Sequence, residues 1–190
     1  MESSERWARH LSHIGDRRET AGIERVGHRL DLRGVDQAAG ALGHERRIDA
    51  EIGDDNRVVP PKRCLAMLLQ LLDAMVVVVT SEESGAWAHL ILKEQQDPSE
   101  GFDVLYSGFM SRLIGTTARL AGRIRQLESD SEAANLLAFT LIGQVLVFRT
   151  GRAAVERRTG WKTFTQREIS AVQTHIHRNV TAILLQENFE

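Results

Sequence analysis

The chain has 190 residues, a formal net charge of −2, 42% hydrophobic and 26% charged residues, and a single cysteine. With only 3 prolines and 5% aromatics in a chain rich in Leu and Ala, this is the composition of a globular helical domain rather than a β-sandwich. An internal disulfide and a cysteine-based zinc site are excluded, and the chain as a whole has no electrostatic footprint for a polyanion.

Residues 1–15 are charged and lack an apolar segment, so no secretory leader is expected. The longest apolar run, 67–79, is interrupted by Gln70 and Asp73 and is too short to span a bilayer. A cytoplasmic protein without a membrane partner is the expectation.

Residues 1–59 form an atypical N-terminal segment. Glycines at 15, 22, 27, 34, 40, 43 and 53 break any long amphipathic stripe, leaving at most a short helix around 35–42. Ten basic residues stand against twelve acids here, so the segment is not a basic arm and reads as a weakly helical tail.

Pro60-Pro61 marks the boundary, since two prolines cannot continue a helix but can open one. From there to residue 190 the chain reads as one helical domain. Leu65, Leu68, Leu69, Leu72, Met75, Val76 and Val79 fall at helical spacing and predict a first helix over 62–78. Ser81 with Glu82 and Glu83 looks like the start of a second helix, ending near Gln95.

Asp97-Pro98-Ser99-Glu100 predicts a helix opening with Asp97 as N-cap and Pro98 at the first helical position. The apolar stripe after it, from Phe102 to Leu127, implies one rod of about 30 residues and about 45 Å. Ser129-Asp130-Ser131-Glu132 is a capping box for the helix that runs to Gly160, and Thr165-Gln166-Arg167-Glu168 is a second box for the last helix. That last helix carries Ile169, Val172, Ile176, Val180, Ile183 and Leu184 as one stripe, which should pack on the helix before it.

The stretch 136–161 is the one around which the chain reads as organised. Leu136, Leu137, Phe139, Leu141, Ile142, Val145, Leu146, Val147 and Phe148 cover more than one face, so the helix must be covered on two sides. A homodimer through a four-helix face, two helices from each copy, is the economical arrangement. Its expected interface residues are Leu141, Val145, Phe148, Arg152, Ile169, Val172, Ile176, Val180 and Ile183.

Catalytic and metal chemistry find no pattern. No Glu precedes a His by three residues, so a di-iron bundle site is not encoded. His175 and His177 lie about 200° apart on a helix, which reads as one solvent-facing and one half-buried histidine. His10 and His13 have no third ligand, and Cys64 sits on an apolar helix without a base at helical spacing. Neither an enzyme nor a cofactor is expected.

Trp87, His89, Tyr106, Phe109, Met110, Thr117, Phe139 and Gln144 put polar and aromatic groups near an apolar interior. Such a set can line a small-molecule pocket, but by itself it is more often a packed core. Gln144 is the sharpest of them, because an amide inside an apolar run needs a partner across a dimer or on a ligand. Arg149 and Arg152 are one turn apart, either pairing with Glu156 or another acid or forming a solvated helix end.

Three stretches carry a family resemblance. They are Leu90-Ile91-Leu92-Lys93-Glu94-Gln95-Gln96-Asp97-Pro98, then Leu141-Ile142-Gly143-Gln144-Val145-Leu146-Val147-Phe148-Arg149, then Gly151-Arg152 followed by Arg158-Thr159-Gly160-Trp161. In order and spacing, residues 61–187 resemble the ligand-sensing and dimerising C-terminal domain of TetR-type transcriptional regulators, in the subgroup with a CecR-like domain. The resemblance implies an all-α TetR C-terminal-like domain with a two-helix dimerisation face. It also implies a small apolar or amphipathic effector at Trp87, His89, Tyr106, Phe109, Met110, Thr117, Phe139 and Gln144, and repression as the expected sense of regulation.

The family's helix-turn-helix pattern is not matched. Val35-Asp36-Gln37-Ala38-Ala39-Gly40-Ala41-Leu42-Gly43-His44 lacks the expected Thr, the Ile-Ala pair, the aromatic pair and the recognition-helix Lys. No DNA-binding residue can be assigned, and operator DNA is a partner only if a helix-turn-helix is present. Residues 1–59 are then an unrelated extension or the product of a misread frame. The alternative function is a dimeric sensor or interaction protein without a DNA head.

Overall fold

The computed structural model describes residues 47–48, 50–52, 59–82 and 84–186. The proline pair starts the first long helix, α1 (Pro61–Thr80), with Pro60 as N-cap and Pro61 where a missing N–H costs nothing. Along α1, Cys64, Met67, Leu68, Leu71, Leu72, Met75 and Val76 are buried at steps of three and four. Ile48 and Ile52 lie in the same core, and Arg63 pairs with Glu51 at 2.7 Å, so packing continues across the boundary read at Pro60. The short helix expected around 35–42, the Val35 to His44 stretch and the His10 and His13 pair lie outside the described residues.

Ser81 organises a turn rather than starting a helix: its Oγ accepts from Ser84 N at 3.2 Å, and α2 (Gly85–Gln96) begins after it. The N-cap of the next helix, α3 (Glu100–Leu105), is Ser99 and not Asp97, whose own N–H is already used by Lys93 O at the end of α2. Ser99 Oγ accepts from Gly101 N at 3.1 Å and donates to Glu94 Oε2 at 2.7 Å, so the last turn of α2 fixes the first of α3.

The expected long rod is present with an interruption. A π-helical turn, Tyr106–Met110, joins α3 to α4 (Ser111–Arg125), a device that re-phases the helix faces on either side of it. Gln126, at φ 57°, ends α4 with its N–H on Gly122 O.

Ser131 caps α5 (Glu132–Thr150), accepting from Ala134 N at 3.2 Å. The helix expected to reach residue 160 breaks at Gly151, where a Cβ would come within 3.0 Å of Val147 O. A short α6 (Arg152–Thr159) follows and ends at Gly160, whose φ of 76° favours glycine. The capping box of Thr165 and Glu168 opens α7 (Gln166–Leu185) as read from the sequence.

α4 and α5 form an antiparallel pair, and α1 packs against α4, α5 and α7. The core is therefore shared by α1, α4 and α5, each of which packs against the other two. The stripe of α7, Val172, Ile176, Val180 and Leu184, is buried chiefly on α1 and only lightly on α5. Its polar flank is tied down there too: His177 Nε2 lies 2.8 Å from Asp73 Oδ1, and Gln173 Nε2 donates to Asp73 O at 3.3 Å.

No strand occurs among the described residues. By length and composition α1 and α5 could each cross a bilayer, with mean hydropathies of 1.9 and 1.4, which the interrupted run at 67–79 did not suggest. Most apolar residues of α1 lie on its core face, with Val77 exposed, whereas α5 keeps many of its own in the open.

Candidate functional site

The expected ligand residues are carried by α2, the π turn, α4 and α5. Tyr106, Phe109 and Met110 share the π turn; Tyr106 is half-exposed and stacks on Phe102 at 5.9 Å, while Phe109 and Met110 pack against the core. Thr117 is buried, with its hydroxyl donating to Leu113 O at 2.8 Å in a local back-bond. Phe139 is 54% exposed on the outer face of α5, away from any interior site. His89 is exposed on α2, and the side chain of Trp87 lies outside the described residues.

Gln144 stands apart from this set. Both its Oε1 and its Nε2 are buried by the chain's own packing and meet no hydrogen-bond partner. The close approach of Gly122 and Ala134 joins the end of α4 to the start of α5. A buried amide with neither end satisfied costs about 1–3 kcal/mol, so the site favours a group that offers a donor and an acceptor.

A second site is polar and lies where the C-terminus of α1, the start of α2 and the α5–α6 junction meet. An open cleft of about 580 Å³ is bounded by Glu82 and Gly85 on the turn, and by Ala88, His89 and Leu92 on α2. Arg149, Thr150, Arg152 and Glu156 close it from α5 and α6, with Lys162 beyond.

Arg152 is the hub of this corner. It pairs with Glu156 at 2.7 Å and with Glu82, donates to Thr80 O at 3.4 Å, and lies 5.2 Å from the centroid of the Phe164 ring. Phe164 in turn meets Trp161 edge to face at 5.6 Å. Burial lowers the Arg152 pKa, but the hydrogen bonds to Glu156 and Glu82 more than offset that and leave it raised.

Arg149 is in the opposite condition. It donates to Ser81 O at 3.3 Å and has no carboxylate partner among the described residues. Burial first, and then the charge of Arg152, hold its pKa below the usual arginine value. Both arginines face the last carbonyls of α1, where cations suit the helix dipole. The sequence showed their mutual spacing and Glu156, but not the α1–α2 turn, which is distant in the chain.

The expected dimer residues are mostly interior. Leu141, Val145, Val172, Ile176 and Val180 are within 2% of full burial in the chain's own core, and Phe148, Ile169 and Ile183 are partly buried against it. Arg152 is held by its own α6 and the α1–α2 turn. A side chain buried in its own subunit cannot meet a second one, so Leu141, Val145, Val172, Ile176 and Val180 belong to the chain's own core, while Phe148, Arg152, Ile169 and Ile183 keep part of their surface open.

The outward apolar face of α5 is instead Leu136, Phe139, Leu146 and Val147, with Gly143 between them. A Cβ at Gly143 would meet nothing within 4 Å. The signal that could have found this face is a glycine at the centre of an apolar helix that its own chain does not require.

Other chemistry is not brought together. His175 is exposed and His177 is taken up by Asp73, matching the reading of one solvent-facing and one half-buried histidine. Burial pushes the Cys64 thiol pKa up, so it rests as the unreactive form. Among the described residues no cluster of three metal-ligating side chains occurs.

The comparisons with known proteins agree with this all-α architecture. The family model for the C-terminal domain of the HTH-type transcriptional dual regulator CecR matches residues 66–186. The HTH-type transcriptional dual regulator CecR of Shigella flexneri is 22% identical over 118 residues, which is 62% of this chain and 53% of that protein. The chain thus spans about half the length of the curated relative it matches.

Proposed function

This chain belongs to the family of CecR C-terminal domains, which are C-terminal domains of TetR-type regulators, and from that premise we propose that it works as a homodimeric transcriptional regulator. Its helices beyond residue 60 bind a small apolar or amphipathic effector, and the outward face of α5 supplies the centre of the dimer face. Repression is the expected sense. The relative from Shigella flexneri is described as a dual regulator, so activation belongs to the same assay.

The observation that carries this reading is the outward face of α5. Leu136, Phe139, Leu146 and Val147 recur at helical spacing around Gly143, where open space would let a second helix approach closely. A two-fold arrangement makes such a face self-complementary. Gln144 supports the effector half, because an effector carrying a donor and an acceptor satisfies both ends of its amide. Effector binding acts on DNA only through unequal affinity for two dimer geometries.

The second reading is a dimeric interaction protein without a DNA head, favoured by the unmatched pattern at Val35 to His44. A shift assay with the DNA upstream of the chain's own gene separates the two. Specific, salt-sensitive binding supports the regulator, and a stable dimer without specific binding supports the second reading. A monomer at micromolar concentration in sedimentation contradicts both.

A further inference from the structure

We propose that the cleft between the α1–α2 turn and the α5–α6 junction binds a small organic carboxylate, held at its acid end by Arg149 and Lys162. The site is separate from the Gln144 amide and depends on neither a dimer nor DNA.

Its charge arrangement is the first argument. The two acids that line the cleft, Glu82 and Glu156, are both engaged by Arg152. Arg149 and Lys162 have no ion-pair partner among the described residues. Arg149 is also held in place: its Nη1 is fixed on Ser81 O, and Gly85 leaves room for Nη2, since a Cβ there would come within 2.7 Å of it. A half-buried guanidinium in a fixed pose, short of negative charge, is the arrangement that a carboxylate completes. Burial, and then the charge of Arg152, lower the Arg149 pKa more than nearby Glu82 raises it.

The second argument is the shape of the wall. Ala88 and Leu92 are one turn apart on α2 and both line the cleft, giving a short apolar strip beside the cations. Bare phosphate has nothing to place on that strip. An acid with a compact hydrocarbon body covers it while its carboxylate reaches Arg149.

Thermal unfolding of the full chain tests this with butyrate, benzoate, benzamide and inorganic phosphate at matched ionic strength. Butyrate or benzoate should raise the midpoint in a saturable way, because a ligand of the folded state stabilises it. Benzamide and phosphate should leave it unchanged. K162Q, at an exposed position, should keep the fold and weaken carboxylate binding about tenfold, and R149Q should weaken it at least as much. If R149Q does not fold, K162Q alone decides. No shift with either carboxylate, an equal shift with benzamide or phosphate, or undiminished binding by K162Q overturns the proposal.

Discussion

Arg152 joins the end of α1 to α6 and to the 160–165 connection through one side chain, and its partners differ in worth. Glu82 is 73% exposed, so its ion pair contributes about 0–0.5 kcal/mol, whereas Glu156, Thr80 O and the Phe164 ring lie in the less exposed corner. Arg152→Gln should therefore cost about 1–2 kcal/mol in urea unfolding, and Glu82→Gln less than about 0.5 kcal/mol. Equal losses for the two would show that the exposed pair dominates.

The cap glutamates also act at the residue scale, through pH. The Glu94 and Glu168 pKa values are held below the ordinary glutamate value, chiefly by the hydroxyls of Ser99 and Thr165. A carboxyl whose pKa is lower folded than unfolded stabilises fully above the unfolded value and loses that contribution as pH falls through the folded one. The melting temperature should be nearly flat from about pH 7 to pH 5 and fall below about pH 4.5. Glu94→Gln should lower the neutral plateau and make the acid fall shallower; an unchanged acid limb would remove Glu94 from this account.

At the scale of the element, α5 carries two conflicting demands. A glycine inside a helix weakens it by about 0.5–1 kcal/mol relative to alanine, and nothing in the chain's own packing requires one at Gly143. Gly143→Ala should thus stabilise the isolated chain by about that amount, measured by urea unfolding at high dilution. If a second copy crosses at Gly143, the same substitution should weaken the dimer in sedimentation. A dimer unchanged or tightened by the substitution would move the crossing point elsewhere.

Adjacent positions on α5 separate folding from assembly for the whole molecule. Val145 is fully buried, so Val145→Glu places an unpaired charge in the core and should cost about 3 kcal/mol or more, seen as loss of cooperative unfolding. Leu146 is 38% exposed, and Leu146→Glu should keep the helical spectrum while giving a monomer. A folded Val145→Glu chain, or a dimeric Leu146→Glu chain, would reverse the assignment of the two faces.

What was legible in the chain alone was local. Gly160 and the Thr165–Glu168 box mark their helix ends because capping depends on groups within one turn, whereas the box read at 129–132 gives way to Ser131 as the N-cap of α5. The α7 stripe was legible for a similar reason, since polar residues on its other side leave only one way to turn it inward. The sequence by itself therefore determined the class, most helix ends and the family.

The tertiary structure decided which face of α5 is core, because periodicity cannot orient a helix that is apolar on more than one side. It also decided that α1, α4 and α5 share the core and that Arg149 and Arg152 meet the α1–α2 turn, contacts about 70 residues apart in the chain. Such contacts are set by how helices pack, and no local pattern carries that information.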